Sequence, residues 1–285
     1  MSKYGEKIMP TVFLISAMAS VAAVFLICIF LFANGLPAIG KIGVGNFLLG
    51  RDWSPTQVPP TFGILPMIVG SIIVTFGAIL VGVPIGLLTA IYMAHFCPKK
   101  IYKWLKPAVE LLAGIPSVVY GFFGLVAIIP VIRTVFGGSG SSILTASLLL
   151  GIMVLPTLIT ISEAAIRAVP EIYYEGALAL GASHERSVFF TVVPAAKSGI
   201  LAAVVLGIGR AIGETMAVIM VAGNQARMPV GILKGVRTLT ANIIIEMGYA
   251  AGLHREALIA TGVVLFILIL IINLTFAAIK RRAKL

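Results

Sequence analysis

Six apolar runs of bilayer-crossing length, at about 11–33, 67–94, 118–135, 143–161, 199–222 and 258–279, constrain this chain more than any other feature. A run of about 20 apolar residues crosses the hydrocarbon core as a helix, because in lipid every backbone N–H and C=O must find its partner within the segment. The expected fold class is therefore all-α, a polytopic membrane protein of about six transmembrane helices. Hydrophobic residues at 60%, charged residues at 11% and a mean hydropathy of +1.11 exclude a soluble globular class. The first run follows Lys3 and Lys7, and Ala17-Met18-Ala19 has the look of a signal-peptide cleavage site. A signal h-region ends after about 7 to 15 residues; this run continues, so it reads as a retained helix.

The intervals between runs set the topology. Residues 34–62 are rich in Gly and Pro and read as a loop, with Arg51 and Asp52 near its middle. Residues 98–110 carry Lys99, Lys100, Lys103 and Lys106 and read as a basic amphipathic stretch. The interval 223–256 is too polar to span and too apolar for a plain loop; within it, 239–247 reads as a short interfacial or re-entrant helix on the outer side. Pro84 should kink the second helix, and the carbonyl it frees needs cover, which places that helix inside a bundle.

A net charge of +11 raises nucleic acid as a partner, but the basic residues are scattered between apolar runs instead of gathered on an aromatic-rich face. Topology accounts for them better. Of 21 Lys and Arg, thirteen fall in one alternating set of intervals: Lys3, Lys7, Lys99, Lys100, Lys103, Lys106, Arg167, Arg186, Lys197, Lys280, Arg281, Arg282 and Lys284. The other set holds Lys41, Arg51, Arg133, Arg227, Lys234, Arg237 and Arg255. The positive-inside rule then puts both termini in the cytoplasm of a multi-pass protein of the inner or plasma membrane. Cys28 and Cys97 offer neither a disulfide framework nor a metal pair, and His95, His184 and His254 fall in three separate intervals, so no metal site is expected.

Arg210 and Glu214 stand inside the fifth run, in Gly207-Ile208-Gly209-Arg210-Ala211-Ile212-Gly213-Glu214-Thr215-Met216. An Arg at mid-helix in lipid costs at least ~2.5 to 3.5 kcal/mol, and such residues usually face a bundle interior or a water-filled path. At i, i+4 on one helix the two side chains share a face, and the three glycines leave room for a neighbouring helix. Two readings stand open: a structural ion pair that fixes helix packing, or an anion path in which the planar guanidinium fork meets a tetrahedral oxyanion. The glycine spacing, on an apolar helix, is not that of a dinucleotide fingerprint. Glu163 reads as a solvated charge at the end of the fourth span. No Gly-x-x-x-x-Gly-Lys-Ser/Thr occurs, so any ATP that powers this protein is bound by another chain.

The polar interval 162–197 is the largest soluble feature available to meet a partner. It contains Glu175-Gly176-Ala177-Leu178-Ala179-Leu180-Gly181 and, nine residues later, Thr191-Val192-Val193-Pro194. Gly181 can end one helix and let the chain turn into the next. The spacing of Glu175, Ala177, Gly181 and Pro194 resembles the Glu-Ala-Ala signature of binding-protein-dependent ABC transporter permeases, with Gly176, Thr191 and Val193 as departures. The resemblance implies a coupling helix that docks on an ATPase subunit.

Further stretches narrow the likeness: Phe62-Gly63-Ile64-Leu65-Pro66 with Gly70-Ser71, the run Ala113-Gly114-Ile115-Pro116-Ser117-Val118-Val119-Tyr120-Gly121, and Gly213-Glu214-Thr215-Met216-Ala217-Val218. From about residue 47 onward the chain resembles the phosphate-specific ABC permeases, and the PstC type more than the PstA type. The resemblance implies a type I importer fold, with residues 1–66 as a first helix and extracytoplasmic loop and residues 67–285 as the permease core, the coupling elbow at about 163–197. It implies a non-enzymatic subunit that moves inorganic phosphate inward and has no cofactor of its own, ATP and Mg being bound by two ATPase subunits. It further implies a PstA-type second permease chain as heterodimer partner and an extracytoplasmic phosphate-binding protein, with Arg210, Glu214 and Thr215 on the substrate path. The alternatives are an ABC permease for sulfate or molybdate and a secondary anion transporter.

Overall fold

The computed structural model describes residues 3–282, with side chains from Met9 to Ala278. The charges of Lys3, Lys7, Lys280, Arg281 and Arg282 lie outside the described side chains, and Lys284 lies outside the described residues.

The first helix, α1 (Lys3–Ile42), is longer than expected: residues 34–42, read as the start of a loop, continue the helix through Pro37. The cause is tertiary. Gly35 lets α1 approach the last helix, α14 (Gly252–Arg282), so closely that a Cβ there would lie 2.6 Å from Val263 Cγ2, and Ala38 is wholly buried one turn on. After a turn at Gly43 the outer segment folds into α2 (Val44–Leu49) and a two-stranded antiparallel ribbon, β1 (Trp53–Ser54) and β2 (Thr61–Phe62), with Trp53 opposite Phe62. Phe47, Trp53, Phe62, Ile64 and Met67 form a small core there with Leu239 and Leu258.

The centre of the molecule is a parallel pair, α3 (Leu65–Ile91), prolonged by a π turn over Tyr92–Phe96, and α7 (Ile143–Arg167). Small residues set their spacing. A Cβ on Gly82 would lie 2.8 Å from Val154 Cγ2 and one on Gly86 2.9 Å from Leu158 Cβ, the close approach that membrane helices use where no hydrophobic drive separates lipid from protein. Pro84, between those glycines, is on the exposed side, and the helix continues through it. Between the pair run α4 (Lys99–Gly114), α5 (Ser117–Phe123), a π turn and α6 (Ile129–Phe136).

After α7 come α8 (Glu171–Ala179), α9 (His184–Ser187), a third π turn and α10 (Val193–Ala195), then α11 (Lys197–Gly213), which returns antiparallel along α7 with Gly207 against Leu158. The fifth apolar run does not continue as one helix to residue 222. It stops at Gly213 and resumes as α12 (Met216–Val221). The short helix expected at 239–247 is α13 (Leu239–Met247); it is largely buried, and its Leu239 N–H donates to Ser71 Oγ at 2.9 Å.

Among the described residues, five helical stretches are long and apolar enough to cross a membrane: Met9–Ile42, Leu65–Phe96, Ser117–Phe136, Ile143–Arg167 and Gly252–Ala278. The bent pair His184–Ala195 and Lys197–Gly213, at 69°, brings the number to six when it is taken as one span. The connections sort by end, as alternating crossings require. At one end the loop after α12 satisfies the free donors of α7, with Ile143 N–H on Lys234 O at 3.1 Å and Leu144 N–H on Ile232 O at 2.9 Å. At the other, Val188, Val192 and Ala196 pack against Ala90, Ile91 and Ile166.

Candidate functional site

Of the three residues singled out in the fifth run, Arg210 lies in the last turn of α11, and Glu214 and Thr215 form the break between α11 and α12. Glu214 is extended, with φ −68° and ψ 133°, so it has left the helix that carries Arg210. The shared face expected at i, i+4 is therefore lost, and the ion pair, one of the two readings left open by the sequence, does not form. Instead Glu214 Oε1 accepts from the backbone N–H groups of Thr215, at 3.1 Å, and Ala217, at 3.3 Å, the orphan donors at the start of α12. Thr240 Oγ1, from α13, donates to the Glu214 carbonyl at 3.0 Å and fixes the break from the other side. Thr215 donates its hydroxyl to Gly213 O at 3.2 Å.

Arg210 is exposed, and its side chain makes no hydrogen bond or ion pair among the described residues. The glycines around it divide: Gly207 meets Leu158, whereas a Cβ on Gly209 or Gly213 would meet nothing within 4 Å. One face of α11 is thus open and carries a guanidinium. In a membrane-spanning chain such a face borders water or another protein, since lipid is an expensive solvent for the charge.

The interval 171–195 forms the expected helix–Gly–helix elbow. Gly181 has φ +85°, a conformation that costs other residues ~1–2 kcal/mol, and it closes α8 with two bonds, Gly181 N–H to Leu178 O at 2.9 Å and Ala182 N–H to Ala177 O at 3.1 Å. Ala177 therefore supplies a carbonyl of the cap. Ser183 starts α9 by accepting from Arg186 N–H at 3.3 Å. Pro194 is the second residue of α10, in the first turn, where a proline is best tolerated. Glu175 is exposed, beside Ile172 at 72% and Leu180 at 91% relative exposure, an apolar tip on a polar segment. Tyr174 OH and His184 Nδ1, 2.7 Å apart, join the two arms, and the His95 ring packs 5.8 Å from Tyr174. His95 and His184, far apart in sequence, thus share one pocket; among the described residues no three metal-ligating groups converge.

Two buried carboxylates tie the ends of the bundle together. Glu163, expected to be solvated, is 2% exposed. It accepts from Tyr102 OH at 2.7 Å, Lys106 Nζ at 2.9 Å and Arg167 Nε at 2.9 Å, and Arg167 Nη2 donates to Met93 O at 2.6 Å. The fourth span runs six residues past its expected end, which draws Glu163 under α4. The hydrogen bond to this carboxylate holds the Tyr102 phenol above its ordinary pKa. The sequence signal was two i, i+4 pairs, Tyr102 with Lys106 and Glu163 with Arg167, on helices that turn out to be neighbours.

At the opposite end Glu246 of α13 accepts from Arg237 Nη1 at 2.6 Å and Trp53 Nε1 at 2.8 Å and meets His254 Nε2 at 2.8 Å. Arg237 also donates to Asn242 Oδ1 and Asn224 O, both at 3.0 Å. Arg237, counted from the sequence only among the basic residues of one set of intervals, is the internal counter-ion of Glu246, a residue that sequence reasoning passed over.

Residues 82–285 match the family described as binding-protein-dependent transport system inner membrane component. Among relatives, the chain is 38% identical to the probable ABC transporter permease protein YqgH of Bacillus subtilis, over 94% of this chain and 88% of that one. It is 34% identical to the phosphate transport system permease protein PstC of Mesorhizobium japonicum, over 86% and 81%. In fold it is similar to a chain of a bacterial alginate ABC transporter in complex with a pentasaccharide-bound periplasmic protein, with a TM-score of 0.65 and 18% identity over 99% of this chain and 98% of that one. It is also similar to a chain of the MetNI methionine ABC transporter in an inward-facing conformation, with a TM-score of 0.62 and 21% identity over 77% and 95%.

Proposed function

This chain belongs to the family of binding-protein-dependent transport system inner membrane components, and from that premise we propose that it is the permease subunit of an ATP-driven importer of inorganic phosphate. One observation carries the choice of phosphate: relatives named as phosphate transport permeases resemble this chain over about four fifths of its length, as with the 34% identity over 86% of the chain to the Mesorhizobium protein. The helix break fits that cargo. Arg210 offers an unpaired planar fork suited to two oxygens of a tetrahedral anion, and Glu214, pinned to the backbone, balances the charge without neutralising the guanidinium. Thr215 completes the polar lining at the break.

Transport in such a subunit is conformational and has no bond-breaking step of its own. A second permease chain of PstA type covers the open face of α11, so that Arg210 faces a path between two proteins. Two ATPase subunits, which hold ATP and Mg, dock on the elbow through Glu175, Ala177 and the apolar tip, while Gly181 and Pro194 give the elbow its shape. An extracytoplasmic binding protein delivers phosphate to the end that carries the Glu246 cluster, and both termini and the elbow lie in the cytoplasm.

A permease for sulfate or molybdate would share the elbow. Uptake of labelled phosphate by proteoliposomes of the complete complex separates the readings. The proposal expects ATP-dependent uptake that a large excess of sulfate or molybdate leaves unchanged; competition by either anion, or uptake without the ATPase, points to one of the alternatives.

A further inference from the structure

We propose that the outward face of α4 is a binding surface for the phosphate headgroups of anionic lipids; its assignment to the cytoplasmic leaflet rests on the topology proposed above. The chain holds this 16-residue helix at membrane height, because the spans Leu65–Phe96 and Ser117–Phe136 leave from its two ends. Its inner face is fastened. Val109 is buried against the bundle, and Tyr102 and Lys106 are bonded to Glu163.

The opposite face is apolar and open. Trp104 is 82% exposed, with Leu111 and Ile101 beside it at helical spacing, so the ridge has no cover among the described residues. Lys100 lies one turn before Trp104, and Lys99 and Lys103 flank the ridge. All three lysines are exposed, and none has an ion-pair partner among the described residues, whereas Lys106 is taken by Glu163 and lies 4.0 Å from Glu110.

An apolar ridge under flanking lysines matches the headgroup boundary of a bilayer. The ridge enters the acyl edge, the lysine stems lie along it, and the ammonium groups reach lipid phosphates. An indole is at home at that depth. Each lysine near an anionic leaflet adds roughly five-fold to the local preference for charged lipid. The elbow, where the ATPase is proposed to dock, is a separate surface.

The test is quenching of Trp104 fluorescence in the full chain reconstituted into bilayers that contain brominated phosphatidylglycerol or, at the same mole fraction, brominated phosphatidylcholine. Trp104→Phe identifies the signal against the buried Trp53. The expected result is quenching at least about two-fold stronger with the anionic lipid, with the difference lost at high salt and in the triple variant Lys99→Gln, Lys100→Gln, Lys103→Gln. Equal quenching by the two lipids, no quenching by either, or a preference that survives in the triple variant overturns the proposal. Loss of quenching once the whole transporter is assembled also overturns it, since the occupant is then a protein. The measurement needs neither ATP nor transported phosphate, so its failure leaves the importer reading in place.

Discussion

At the scale of single residues, the charged side chains do their work through what they are bonded to, and Glu163 shows it most clearly. Replacing it by Gln keeps an acceptor for Tyr102 but leaves Arg167 without a counter-charge and Lys106 with only Glu110, 4.0 Å away. Breaking a fully buried pair costs roughly 3–5 kcal/mol; here Lys106 and Arg167 reach water at 24% and 46% exposure, so about 1–2 kcal/mol is expected. Thermal unfolding of the purified chain checks this, and combining Glu163→Gln with Lys106→Met should lose less than the sum of the two single changes. Additive losses would mean that the cluster is not a unit. Glu163 was misread because a carboxylate at a span end is solvated only if the helix stops there, and burial by α4 is invisible in the linear chain. The shared helix face expected of Arg210 and Glu214 failed for the same kind of reason. Helical spacing predicts a shared face, but it does not say that a carboxylate will leave the helix to cap the next one.

At the scale of elements, the elbow was the most legible part of the molecule. Its shape is dictated locally by the left-handed Gly181 and the Ser183 cap, both visible as residue types in the sequence. Gly181→Val places a β-branched residue at φ +85°, at a cost of ~1–2 kcal/mol to that turn. The expected outcome is a folded permease that no longer co-purifies with its ATPase. Leu180→Asp should give the same loss of co-purification with an unchanged melting temperature, since Leu180 is 91% exposed and touches little of its own chain; retention of the ATPase by both variants would remove the elbow as the docking site. Helix boundaries were less legible. Residues 34–42 look like loop by their Gly and Pro content, and only the approach of α14 at Gly35 makes them helix. Gly35→Leu, which would meet Val263 and Ala260, is expected to detach α1 from α14 and lower the melting temperature.

At the scale of the whole molecule, hydropathy made the membrane class and about six crossings readable, and the packing of α3, α7 and α11 turned those crossings into one permease body. What a single chain cannot encode locally is its missing side. The open glycine face of α11 and the unpaired Arg210 make sense as half of a path, completed by a second permease subunit. The central claim is that phosphate passes that guanidinium. Its most direct test is phosphate uptake by proteoliposomes of the complete complex, wild type against Arg210→Gln, with co-purification of the ATPase confirmed in both. The account predicts a variant that assembles and hydrolyses ATP but moves little or no phosphate. Uptake by Arg210→Gln at the wild-type rate would contradict it and return Arg210 to a role in helix packing.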